Sequence, residues 1–132
     1  ARGGGLVGVF GSAGERDRAK RPIMGRVAGQ RCGLVVLSDE DPRGEEPMAI
    51  LDAIARGARD AGRRDDRDLL LLPDRRAAID AAFERARPGD VVLLAGKGHE
   101  RSILYADGPR SWDEAAAARD ALAALGFRGE GS

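Results

Sequence analysis

Leu34-Val35-Val36-Leu37 is an unbroken apolar run, set between an amphipathic stretch ending at Gln30 and a polar loop opening at Ser38. A short continuous run of this kind fits a strand covered on both faces. Three further runs share its character: Leu6-Val7-Gly8-Val9-Phe10 before it, then Leu69-Leu70-Leu71-Leu72 and Val91-Val92-Leu93-Leu94 after it. Helical patterns separate them. Pro22 to Gln30 opens with proline at a first-turn position and carries Ile23, Met24 and Val27 at helical spacing. Pro47 to Ala58 has Ile50, Leu51 and Ile54, and Asp74 to Ala86 has Ala77, Ala78, Ala81, Ala82 and Phe83. Strand, helix, strand repeated three times requires a mostly parallel sheet with right-handed crossovers. The expected fold is a three-layer, Rossmann-like open α/β domain with helices on both faces.

Beyond the fourth run, Ser102 to Arg110 contains Asp107-Gly108, a tight-turn signal that predicts a short β excursion. An alanine-rich helix from Asp113 to Leu125 follows and stops at Gly126. Ala61 to Asp68 reads as a solvated connection, and both ends of the chain as flexible. With 132 residues and 42% in the hydrophobic set, residues 1–132 make a single domain with one core's worth of apolar side chains.

The 22 basic and 22 acidic residues cancel, so there is no electrostatic case for nucleic acid or an anionic membrane surface. Any ligand must be recognised locally. Cys32 is the only cysteine, which excludes an internal disulfide framework and a cysteine zinc site and points to a reducing, cytoplasmic setting. No apolar run approaches a membrane span, and the first residues lack a signal-peptide core. Among 22 cations only Lys20 and Lys97 are lysine, and His99 is the only histidine. So strong an arginine bias marks the two lysines for attention.

In an open parallel sheet, ligands bind outside the carboxyl ends of the strands, near the point where strand order reverses. The loops there are Gly11 to Arg21, Ser38 to Glu46, and Ala95 to Glu100, and they hold both lysines and the histidine. Gly11-Ser12-Ala13-Gly14 is too short for a dinucleotide fingerprint. Gly96-Lys97-Gly98 lacks the Ser or Thr and the first glycine of a P-loop. What the loops share is mixed charge. Arg16, Arg43 and Lys97 suit carboxylates or phosphates, and Glu15, Asp39, Glu40, Asp41 and Glu100 suit ammonium groups, a combination that fits a free amino acid. Plainer readings stand beside this one: a solvated helix start for the first loop, an ordinary proline turn for the second, a packed histidine at His99. In Gly96 to Glu100 two glycines permit close backbone approach and three ionisable side chains crowd together, so function is the better reading there. Lys97 is expected to orient the loop or screen acidic groups, and Trp112 to pack.

Taken in order, Val9-Phe10-Gly11, Gly14-Glu15-Arg16-Asp17, Lys20-Arg21-Pro22 with Met24-Gly25, Asp41-Pro42-Arg43 with Glu46-Pro47, Gly89-Asp90-Val91-Val92, and Ala95-Gly96-Lys97-Gly98-His99-Glu100 resemble the C-terminal domain of MurE-type Mur ligases. These are UDP-N-acetylmuramoyl-tripeptide synthetases. The resemblance implies a three-domain protein, in which a UDP-binding N-terminal domain and a central ATPase domain holding ATP and Mg2+ lie outside this chain. In that family ATP converts the terminal carboxylate of UDP-N-acetylmuramoyl-L-alanyl-D-glutamate to an acyl phosphate, which the amine of an incoming amino acid attacks. The positions matching amino-acid contacts are Arg16, Glu40, Asp41, Arg43, Gly96 and Glu100. Lys20 and Glu15 match positions facing the ATP phosphates. No catalytic residue, metal ligand or cofactor is implied for this domain by itself, which would be inactive alone. The family's Asp-Asn-Pro-Arg reads Glu40-Asp41-Pro42-Arg43 here, so an extra negative charge is expected beside the incoming side chain. Arg43 favours meso-diaminopimelate, while Asp41 keeps lysine and ornithine open. The alternative is a stand-alone, non-catalytic Rossmann-like module that binds a small zwitterion or a protein partner.

Overall fold

The computed structural model describes residues 5–15, 18–97 and 100–126. Its elements run β1 (Leu6–Phe10), α1 (Lys20–Arg31), β2 (Leu34–Leu37), α2 (Pro47–Asp60), β3 (Leu69–Leu71), α3 (Arg75–Arg85), β4 (Val91–Leu94), β5 (Ser102–Tyr105), β6 (Gly108–Ser111) and α4 (Glu114–Ala124). The first four strands form one parallel sheet in the order β3-β2-β1-β4. The β excursion is a separate antiparallel hairpin of β5 and β6, closed at Asp107-Gly108. Strand order reverses between β1 and β4, so the crevice of an open α/β sheet lies at the carboxyl ends of these two strands.

Alternate residues of each strand enter two cores. Val7, Val9, Leu34 and Val36 face α3 and α4, where they meet Ala78, Ile79, Ala82, Ala117 and Ala121. Val35, Leu37 and Leu69 face the other way, against Ile50, Leu51, Ile54, Ala55 and Ala58 of α2. Cys32 is buried in this second core, and Trp112 packs against the first. The expectation that all four runs are covered on both faces fails at β4. It is an edge strand, with Val91 and Leu93 61% and 52% exposed, and Leu93 borders an apolar groove beside Ile23 and Val27 of α1. No described helix is long and apolar enough to cross a membrane.

α1 and α2 approach backbone to backbone. A Cβ on Gly57 would sit 1.7 Å from the Pro22 carbonyl oxygen, and one on Gly25 would sit 1.8 Å from that of Ile54. This contact indexes the start of α1 against α2. A second tie lies above it, where Arg21 is fully buried and forks onto Glu45, Nη1 donating to Oε2 at 2.6 Å and Nη2 to Oε1 at 3.0 Å. The same guanidinium donates to the Ala13 carbonyl, and the Glu15 amide donates to Glu45. The loops after β1 and β2 are thereby clamped. The Arg21 hydrogen bonds, with that from the Glu15 amide, hold the Glu45 carboxyl down at about 2.

Two outcomes follow. Gly57→Ala, which in an open helix would stabilise, should here lower the urea-unfolding free energy by about 1–3 kcal/mol, since the added methyl meets backbone; a rise would disprove the close contact. Glu45 ionises near 4.5 when unfolded and near 2 when folded, so its carboxylate adds stability above pH 4.5 that is lost as pH falls through 2. Glu45→Gln should be less stable than the parent at pH 7, with the gap closing between those pH values; a gap constant across that window in stepped unfolding measurements would refute the clamp.

Candidate functional site

Three loops meet at the carboxyl edge, and their contacts begin with the backbone. Gly14 donates its amide to the Asp41 carbonyl at 2.7 Å, and a Cβ on Gly14 would lie 1.8 Å from the Pro42 oxygen, so only glycine fits. The hairpin joins from the side. Arg43 donates its amide to the Leu104 carbonyl, and the Leu104 amide donates to Asp41 Oδ1, both at 2.9 Å. Tyr105 Oη donates to Asp39 Oδ2 at 2.8 Å, and the Arg110 guanidinium lies 4.2 Å over the Tyr105 ring. Burial of the Tyr105 hydroxyl, reinforced by that hydrogen bond, raises its pKa.

Lys97 is fully buried beneath these loops. Its Nζ donates to Asp41 Oδ1 at 2.8 Å and to Glu100 Oε1 at 2.7 Å. Burial alone would pull the ammonium down, but the hydrogen bonds to the two carboxylates outweigh it and leave the pKa above its ordinary value. The expected charge screening is therefore what Lys97 does. The extra negative charge expected at Asp41 is accordingly not loose: its Oδ1 already takes the Lys97 ammonium and the Leu104 amide.

Glu40 and Arg43 differ from their neighbours. Both are half-buried, and neither side chain has a hydrogen-bond or ion-pair partner among the described residues. Burial pushes the Glu40 carboxyl above its usual range, with Arg75 the largest opposing influence. A Cβ on Gly96, whose φ is +105°, would fall 2.5 Å from Glu40 Oε1, so the third loop passes directly against this carboxylate. Arg43 holds a left-handed φ of +56° and has its Nε buried without a partner. It borders a cavity of about 240 Å³ with Pro42, Tyr105 and Arg110. Uncompensated charges of both signs at one sheet edge suit a ligand that carries both.

The structure thus brings Glu40, Asp41, Arg43, Gly96 and Glu100 to one edge, with Glu100 exposed and tied to Lys97. Glu15, at φ +62°, points its amide at Glu45, and Lys20 is exposed at the first residue of α1. Arg16 and His99 lie outside the described residues. Lys97, the one lysine of the glycine-rich loop, is enclosed on two carboxylates and is not placed to meet a phosphate.

Arg75 and Glu114 escaped the sequence reading. Arg75 Nε and Nη2 donate to the two Glu114 oxygens at 3.1 and 2.7 Å, and Nη2 also donates to the Ala95 carbonyl at 2.9 Å, which fixes the loop after β4. The signal was there: a cation in the first turn of a helix opposes the dipole and needs an anion nearby. Arg21 in the first turn of α1 carries the same signal.

Several known proteins are similar to this chain. A UDP-N-acetylmuramyl-tripeptide synthetase of Roseiflexus sp. (strain RS-1) is 58% identical over 96% of this chain and 25% of its own length. A protein of the same description from Treponema pallidum is 48% identical over 90% of this chain and 22% of its own. A UDP-N-acetylmuramoyl-L-alanyl-D-glutamate--2,6-diaminopimelate ligase of Solibacter usitatus is 42% identical over 92% of this chain and 24% of its own. A solved structure of a ligase with that last name superposes with a TM-score of 0.81 at 35% identity, covering 93% of this chain and 24% of that one. The chain spans about a quarter of the length of these relatives. The family described as "Mur ligase, glutamate ligase domain" matches residues 1–98, across the four-stranded sheet and the loops at its carboxyl edge, and this chain belongs to that family.

Proposed function

We propose that this chain is the C-terminal, amino-acid-presenting domain of a cytoplasmic, ATP-dependent ligase that adds the third residue, meso-diaminopimelate, to UDP-N-acetylmuramoyl-L-alanyl-D-glutamate. One observation carries the reading: Arg43 and Glu40, a guanidinium and a carboxylate without partners among the described residues, stand half-buried at the edge where the three loops meet. An amino acid whose side chain ends in an ammonium and a carboxylate satisfies both. The names of the similar proteins support the choice of substrate and the peptidoglycan-precursor setting.

In this reading Arg43 forks onto the distal carboxylate, Glu40 accepts from an ammonium, and Gly96 brings the backbone of its loop against the ligand. Arg16, Asp41 and Glu100 complete the amino-acid contacts, and Lys20 and Glu15 face the phosphates of ATP. ATP and Mg2+ belong to a central domain outside this chain and activate the acceptor carboxylate there. The role of this domain is positional: it holds the nucleophilic amine in line with a carboxylate activated elsewhere, which makes the encounter effectively intramolecular.

The complete protein, given the UDP-linked dipeptide, ATP, Mg2+ and diaminopimelate, should form the tripeptide product by mass spectrometry. The 132-residue chain alone should release no phosphate above a buffer blank. Failure of the complete protein with every amino acid tried, or turnover by the chain alone, would overturn the proposal. Within the complete protein, Arg43→Ala leaves a substrate carboxylate without its charged partner, on the order of 3 kcal/mol. kcat/KM for diaminopimelate should fall about a hundredfold relative to that for lysine; a change in the ratio below threefold would remove Arg43 from that role.

A further inference from the structure

Lys97 is the buried cation closest to the amino-acid site by its contacts, and the proposed reaction gives it no part. Its side chain is fully enclosed while Glu100, one of its two partners, is 58% exposed, so Lys97 meets carboxylates and no solvent. Asp41, the other partner, sits two residues before Arg43 and one after Glu40, and its Oδ1 also receives the hairpin amide of Leu104. Glu40, Asp41 and Glu100 therefore put three carboxylates at the edge where the Arg43 guanidinium stands half-buried with no partner among the described residues. A lone desolvated carboxylate attracts any ammonium, and three would favour a simple diamine over a side chain that also ends in a carboxylate.

Resting on the function proposed above, we infer that Lys97 is a specificity-determining residue that acts through Asp41 and Glu100: by engaging one oxygen of each, it offsets their charge, leaves Glu40 as the loop carboxylate with neither oxygen engaged among the described residues, and so keeps the site matched to a zwitterionic side chain instead of a diamine. Lys97 touches neither substrate nor nucleotide. It is a positioning residue whose effect appears in the choice of amino acid. Arginine in its place would have to fold a planar fork into an enclosed slot between two carboxylates from different loops, whereas the compact ammonium reaches both.

The test uses the complete protein and measures kcat/KM for meso-diaminopimelate and for L-lysine, with KM for ATP alongside. Lys97→Met should shift the diaminopimelate-to-lysine ratio towards lysine by tenfold or more, through KM for the amino acid, with KM for ATP within twofold of the parent. Adding Asp41→Asn to Lys97→Met should bring the ratio back to within threefold of the parent, again through KM for the amino acid and with KM for ATP unmoved. Asp41→Asn alone, which keeps the fold's hydrogen-bond geometry and serves if Lys97→Met does not fold, should move the ratio the other way, towards diaminopimelate, by threefold or more. A ratio unmoved in the folded variants, a shift of both in the same direction, or a change dominated by KM for ATP overturns the inference. A parent protein that ligates neither amino acid overturns the proposed function and the inference with it, while a parent that ligates diaminopimelate with unmoved variants overturns the inference alone.

Discussion

Three buried cations hold the carboxyl edge of the sheet together. Arg21, Arg75 and Lys97 are the largest fully buried side chains among the described residues, and each reaches from its own segment to a carboxylate on another. Removing a charge from water is costly, and the cost is offset only where the partner and its geometry are fixed. Each cation is therefore also a distance constraint. Arg21 sets the loop after β1 against the loop after β2, Arg75 sets α3 against the start of α4 and the loop after β4, and Lys97 sets that last loop against Asp41. Loops that would otherwise open independently share one set of electrostatic ties.

The fold was legible because its strands are short continuous apolar runs and its helices keep their periodicity. Element boundaries differ by a residue or two, as at α1, which begins at Lys20 instead of Pro22. The exposure of β4 was not legible, since Val91-Val92-Leu93-Leu94 reads the same in the centre of a sheet or at its edge. Strand order, which decides that, is a property of the crossovers and leaves no mark on local pattern.

At the site, the loops were found from sequence but the division of labour within them was not. Glu45 and Glu40 look alike in a list of acidic residues, yet one is clamped by Arg21 from 24 positions away and the other has no partner among the described residues. Lys97 and Asp41 stand 56 positions apart. Pairing at such separations follows from tertiary packing alone. The glycines of the first loop were weighed as a nucleotide motif and turn out to serve steric fit, Gly14 letting the backbone of the second loop pass at contact distance.

The hairpin of β5 and β6 is fastened to the site by the amide and carbonyl of Leu104, with the Tyr105 hydroxyl and the buried Ile103 as side-chain anchors. Peptide groups are the same whatever residue carries them. Substitutions at Leu104, Ala106 or Pro109 can therefore accumulate with the attachment intact, and the hairpin is a place where the wall beside Arg43 can be recontoured by mutation without disturbing the charges beneath it. Evolution, or a designer seeking a different amino acid, has there a surface whose shape and whose anchorage are controlled by different atoms.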